Sequence, residues 1–243
     1  MLGHDLRNPL GAIRNSATYL LRAQGLSANQ TKAAARIVLS SARMQRMIDD
    51  LLDFTRTRLG TALPVARSRM DLGEACRSVV DELRALHPGQ AVTVDCSGEL
   101  SGHWDGPRIG QLLSNLIANA IQYGAADMPV TVGLRVDHEA AVVNVHNHGR
   151  AISTKVRRTL FEPMLRVGVA MQQPAERHEG SSGLGLGLYI ARQIVLAHGG
   201  EISVESFAAV LSDEPGHQRR LGQAAAARPG LSPRGIAPDW GFS

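Results

Sequence analysis

The sequence predicts an α+β protein in two parts: an N-terminal helical hairpin, expected to pair with a second copy as a four-helix bundle, and then an α/β two-layer sandwich. Three observations lead there. Apolar residues recur at steps of three and four through residues 3–58 with one break at Gly25. From residue 69 onward, stretches of helical period alternate with stretches of period two. Between the two regimes lies a short segment holding Gly60 and Pro64 that follows neither period.

In the first part, Leu6, Leu10, Ile13, Ala17 and Leu20 share one face of a helix expected over residues 3–24. Pro9 sits inside that helix, where its missing N–H leaves the Asp5 carbonyl without a partner and produces a kink. After Gly25, a second helix is expected over 29–58, with Ile37, Met44, Met47, Ile48, Leu51 and Leu52 on its buried face. Two helices alone bury too little apolar surface to be stable, which is why a homodimer is expected. Residues 59–68 read as a linker.

The second part is expected to run over residues 69–206. Its elements are a helix over 72–86, a strand over 91–96, a helix over 106–123, and strands over 130–136 and 141–147. Val130, Val132, Leu134 and Val136 alternate along the first of those two strands. A helix over 187–198 then leads through Gly199 and Gly200 into a strand over 201–206. Residues 207–243 form a low-complexity tail, rich in Arg, Ala, Gly and Pro and holding a run of four alanines. Disorder is expected there, with no further strand and one edge of the sheet left open.

Composition narrows the function classes. With 44% hydrophobic residues in 243, the chain can build real cores, while 4% aromatic residues and a net charge of +4 leave a nucleic-acid binder without stacking side chains. No nucleic-acid partner is expected. The two cysteines, Cys76 and Cys96, form no disulfide framework, which fits a reducing compartment. No apolar run approaches the roughly 20 residues that span a bilayer, and no signal pattern opens the chain. The expectation is a cytoplasmic chain that does not itself insert in a membrane, whole or part of a larger membrane protein.

Several groups of residues carry chemistry. In His4-Asp5-Leu6-Arg7-Asn8-Pro9-Leu10, a neutral imidazole is a competent nucleophile near neutral pH, and the adjacent carboxylate can hold its tautomer and take its proton. Asn8 lies one helical turn beyond His4. Asn115 and Asn119 are four apart on one helix face, where amides can meet Mg²⁺ and phosphate oxygens. His146 and His148 flank Asn147 at a spacing that suits a metal, but no third ligand lies near, and they are read as non-ligands. Residues 164–182 are polar and of a length that suits a mobile lid. Ser182-Gly183-Leu184-Gly185-Leu186-Gly187-Leu188 places glycines at alternate positions just before a helix, so that backbone N–H groups and the positive helix end can approach phosphate.

Taken in order over residues 2–206, these groups resemble the boxes of two-component sensor histidine kinases. The segment from His4 to Leu10 resembles the H-box. Asp105, Arg108, Gln111, Leu112, Asn115, Leu116, Asn119, Ala120 and Tyr123 resemble the N-box; the segment Asn147 to Ile152 resembles the first glycine box, Phe161-Glu162-Pro163 the F-box, and Ser182 to Leu188 the second glycine box. The resemblance implies a dimerisation and phosphoacceptor hairpin followed by an ATP-binding domain, with ATP and Mg²⁺ as cofactors. It implies that His4 accepts phosphate with Asp5 as base, and that Asn8 positions water for removing phosphate from a partner. It further implies that Asn119 ligates the metal and that Asn147 accepts from the adenine amino group. Asn115, Tyr123, Gly149, Ile152, Phe161, Arg166, Gly183, Leu184, Gly185, Leu186 and Gly187 complete the implied nucleotide site, with Arg166 reaching the γ-phosphate. The implied function is ATP-dependent autophosphorylation of His4 and transfer to an aspartate of a response-regulator receiver domain, with phosphatase activity toward that partner as a companion. Gln122 stands where the family usually has a cation, and Ala151 replaces the second glycine of its box. These two departures and the tail leave open a second reading, a catalytically impaired dimeric docking module that binds nucleotide weakly.

Overall fold

The computed structural model describes residues 2–23, 25–137, 140–149, 151–163, 185–207 and 222–228. The chain divides into two compact units: residues 1–62, with which Gly185 and Leu186 group, and the other described residues from Leu63 onward.

The first unit is the hairpin of α1 (Leu2–Arg22) and α2 (Ala28–Arg58). Gly25 turns between them with φ of 87°. Ser27 starts α2 through a capping box: its hydroxyl accepts from the Gln30 N–H, and the Gln30 side chain accepts from the Ser27 N–H. Of the predicted apolar face, Leu10 and Ala17 are buried within the single chain. Leu6, Ile13, Leu20, Ile37, Met44 and Leu51 are not, each being more than 40% exposed. The sequence-based expectation of one fully buried face therefore holds for only part of it in a lone hairpin, because two helices cannot enclose a whole apolar stripe.

The second unit begins earlier than residue 69. Leu63 is buried, the Ala66 N–H donates to Asp105 Oδ2 at 2.8 Å, and β1 (Ser68–Asp71) pairs antiparallel with β3 (Ser101–Trp104). Between those strands lie α3 (Leu72–Leu86), capped by Asp71, and β2 (Val92–Ser97). There follow α4 (Gly106–Tyr123), capped by Asp105, the hairpin of β4 (Val130–Asp137) and β5 (Ala140–Asn147), and the short α5 (Thr154–Thr159). The unit closes with α6 (Gly187–Ala197), β6 (Glu201–Phe207) and β7 (Gly222–Arg228). The main sheet has the order β2-β4-β5-β7-β6, with β2 and β4 parallel and the other neighbours antiparallel. One layer of the core comes from Cys76, Val80 and Leu83 of α3, Ile109, Leu112, Leu113, Leu116 and Ile117 of α4, and Ile190, Ile194 and Val195 of α6. Val130, Val132 and Leu134 of β4 and Val143 and Val145 of β5 supply the other. Burial, then the neighbouring Cys96, pushes the Cys76 thiol up to about 12, so it serves as a small apolar side chain.

The tail departs from its expectation. Residues 222–228 form β7, which lies between β5 and β6 and pairs with both. The sheet thus has a strand where none was expected, and β5 is not an edge. Backbone N–H and C=O groups satisfy each other across the ladder whatever the side chains are, so a run of alanines fills such a slot when its neighbours offer unpaired groups on both sides.

A buried polar node ties the ends of two helices together. The Asp105 N–H donates to Nε2 of His198 at 3.1 Å, and Nδ1 of His198 lies 2.8 Å from the Ile194 carbonyl, which makes the ring a neutral Nδ1–H tautomer. Asp105 Oδ1 also accepts from the Arg108 N–H at 3.1 Å. Burial holds the His198 imidazole below its ordinary 6.5. The unfolded chain therefore binds this proton more readily than the folded one, and stability that is full above about pH 6.5 falls as pH drops below it. Melting followed from pH 8 to pH 5 is expected to show that decline, and His198→Gln is expected to flatten it; an unchanged slope in the variant would remove His198 from the account.

Candidate functional site

The site in the second unit forms where α4, the end of β5, the segment after it and β6 converge. Asn119 and Asn147 line one recess together with Ile152 and Phe161, and Leu116, Ala120, Val145, Leu160, Leu188 and Val204 complete its apolar wall. Four residues singled out from sequence thus meet in one place although they lie on four separate segments. Asn119 gets there because Leu112, Leu113, Leu116, Ile117 and Ala120 fix the buried face of α4 and leave the asparagines at its flank. Asn147 is the last residue of β5, in register with Gln223 of β7, and is 4% exposed. Ile152 is held by its N–H donating to Ser206 Oγ at 2.8 Å, which clips the segment after β5 to β6.

Polar groups at the site lack partners among the described residues: Asn115 Nδ2 and Asn147 Nδ2 are both buried with no hydrogen bond from them. A buried unpaired amide costs on the order of 1–3 kcal/mol, so two of them beside a recess fit a polar ligand that supplies what the fold omits. Asn115 lies one turn before Asn119 and packs on the first residue of α6: a Cβ added to Gly187 would stand 3.4 Å from Asn115 Oδ1. The N-terminus of α6, preceded by Gly185 with φ of 71° and by buried Leu186, carries the N–H groups and positive dipole end that attract phosphate. Gly149 is needed for close approach, since its added Cβ would stand 2.6 Å from the Tyr123 carbonyl oxygen at the end of α4.

That contact yields a stability prediction. Gly149→Ala forces backbone against backbone and is expected to lower stability by about 1–3 kcal/mol. Gly110→Ala, with open space around the new methyl, is expected to raise it by about 0.5–1 kcal/mol. Denaturant melts of the two variants check both signs, and a harmless Gly149→Ala would mean that the loop and α4 do not meet as described.

The remaining sequence-named residues are placed as follows. Tyr123 ends α4 and is 46% exposed. Ala151 is exposed. His146 and His148 stack edge to face with ring centroids 4.9 Å apart, and no group of three potential metal ligands occurs among the described residues. Arg166, Gly183 and Leu184 lie outside the described residues. His4, Asp5 and Asn8 belong to the other unit, on the first turns of α1; Asp5 and Asn8 are exposed, and of His4 the backbone alone is described. Sequence reasoning missed Leu160 and Val204 of the recess wall and the His198 node. Val204 carried a faint signal in the alternation of β6, whereas nothing near His198 in sequence points to Asp105, 93 residues away.

Comparison with known proteins gives the following likenesses. Residues 1–60 match the model of the His Kinase A (phospho-acceptor) domain, and residues 104–221 match that of the histidine kinase-, DNA gyrase B- and HSP90-like ATPase. A bacteriophytochrome of Pseudomonas aeruginosa is 32% identical over 205 residues, covering 84% of this chain and 27% of its own length. The sensor protein VanSC of Enterococcus gallinarum is 30% identical over 208 residues, covering 84% of this chain and 55% of its own. The chain therefore spans about a quarter to a half of these relatives. The crystal structure of full-length ShkA in complex with AMPPNP superposes with a TM-score of 0.64 at 21% identity, over 95% of this chain and 45% of that one. Among the described residues no helix is long and apolar enough to cross a membrane.

Proposed function

This chain belongs to the two-component sensor histidine kinase family, and from that premise we propose that it uses ATP to phosphorylate its own His4 and passes the phosphoryl group to an aspartate of a response-regulator receiver domain. The observation that carries this reading is the meeting of Asn119, Asn147, Ile152 and Phe161 at one recess, with buried amides at Asn147 and at Asn115 beside it that have no partner among the described residues. The likeness to ShkA, solved in complex with AMPPNP, supports a nucleotide as the class of ligand.

Each residue has a part in this scheme. Turning the Asn147 amide by half a turn exchanges its unpaired nitrogen for its oxygen, which then accepts from an adenine amino group. Ile152, Phe161, Val145 and Leu188 give the purine an apolar enclosure. Asn119, with Asn115 behind it, would hold Mg²⁺ and phosphate oxygens, and the N-terminus of α6 at Gly187 would face the same charge. When bound, Mg²⁺ supplies charge neutralisation for the phosphates as the terminal one is transferred. On α1, Asp5 takes the ring proton as an imidazole nitrogen of His4 forms its bond to phosphorus and the bond to the departing ADP oxygen breaks. Asn8, on the next turn, orients water when the phosphoryl group is removed from the receiver domain.

The open apolar residues of the hairpin fit a second copy closing a four-helix bundle. Of the features that suggested a docking module without turnover, the missing strand no longer counts, because β7 fills that place. Incubation with γ-labelled ATP and Mg²⁺ tests the reading: acid-labile label on the chain is expected. A chain that ATP stabilises against melting but that never takes label would be the docking module instead.

A further inference from the structure

The helix that presents His4 is weakened at its start. Pro9 has no N–H, so the Asp5 carbonyl, next to His4, loses its helical partner. The turns around His4 are thus joined to the rest of α1 by fewer hydrogen bonds than interior turns. What fastens them is lateral. Arg7, three residues after His4, donates to Asp49 Oδ1 of α2 from Nε at 2.8 Å and from Nη2 at 2.6 Å. Gln45, one turn before Asp49, donates to both oxygens of the same carboxylate at 3.2 Å. Two guanidinium nitrogens converge on one carboxylate oxygen, a charge-assisted contact, while Gln45 holds the carboxylate itself in place. On the other side of Pro9, Leu10 is 7% exposed. The turn holding Pro9 is thus braced before and after.

Half-exposed pairs of this kind add little to global stability, and the Arg7 and Asp49 side chains are 48% and 35% exposed. The effect of the pair is local: it sets the orientation of the turn that follows His4. We propose that Arg7, Asp49 and Gln45 form a strut that positions the phosphoacceptor turn for phosphoryl transfer, an inference that rests on the kinase reading above. Misplacement of a reacting group by a fraction of an ångström to one ångström is enough to slow transfer well beyond any change in folding.

The test uses the full chain with Arg7→Glu, Asp49→Arg and the two combined. Each single reversal is expected to lower the initial rate of acid-labile labelling about tenfold with the ATP KM unchanged, and the combined reversal to recover to within about twofold. Amide hydrogen exchange at residues 6–8 gives a readout independent of catalysis: exchange is expected to quicken in the single variants and slow again in the double. Single variants that label and exchange like the unmodified chain would overturn the strut, as would a double variant that recovers neither. If the unmodified chain takes no label, the kinase reading fails, and the exchange pattern still decides whether the strut exists.

Discussion

Asn119→Ala is expected to lower ATP-dependent phosphorylation about 100-fold, equivalent to about 2.7 kcal/mol of lost transition-state stabilisation, while the protein stays folded. The separation of the two effects follows from the position of Asn119 on α4. Its neighbours Leu116, Ile117 and Ala120 are the buried residues that pack the helix, whereas Asn119 is half-buried and lines the recess. Truncating it opens no cavity in the core and removes one oxygen from the set proposed to hold the metal. The initial rate of labelling at saturating ATP checks the first part and a thermal melt the second. An undiminished rate would take Asn119 out of the site.

The largest stability effect is expected from Ala225→Pro. Ala225 sits within β7, opposite Val145 of β5 on one side and Val204 of β6 on the other. Proline there removes a ladder hydrogen bond in a central strand and leaves a carbonyl of a neighbour unsatisfied, at a cost of about 3 kcal/mol. For a domain of this size that corresponds to a fall in melting temperature of roughly 10 °C. Because β7 is the strand that β6 pairs with among the described residues, and β6 brings Val204 to the recess, nucleotide affinity is expected to fall as well. A melt of the variant matching that of the unmodified chain would mean that residues 222–228 do not complete the sheet.

That strand also marks the limit of what the sequence discloses. The starts of α3 and α4 are legible because each follows an aspartate that caps it, Asp71 and Asp105, and because apolar residues then recur at helical spacing. β4 is legible from alternation. β7 is not, since alanine favours helix when left to itself, and here the ladder offered by β5 and β6 overrides that preference. β1 and β3, four residues each, are too short to show a period, and their pairing joins segments about thirty residues apart. At the site, the asparagines and glycines could be named because their order along the chain resembles the boxes of the family. The His198 node and the Arg7 strut could not, because each is a contact between helices whose register is set only by packing.

The proposed reaction is transfer of phosphate from ATP to His4. The most direct measurement is labelling with γ-labelled ATP and Mg²⁺, with the unmodified chain and His4→Gln side by side and the label tested for stability in acid and base. The expected result is label that is lost in acid, retained in base, and absent from His4→Gln although that variant still binds ATP. Label that persists in His4→Gln, or no label on the unmodified chain, would contradict it.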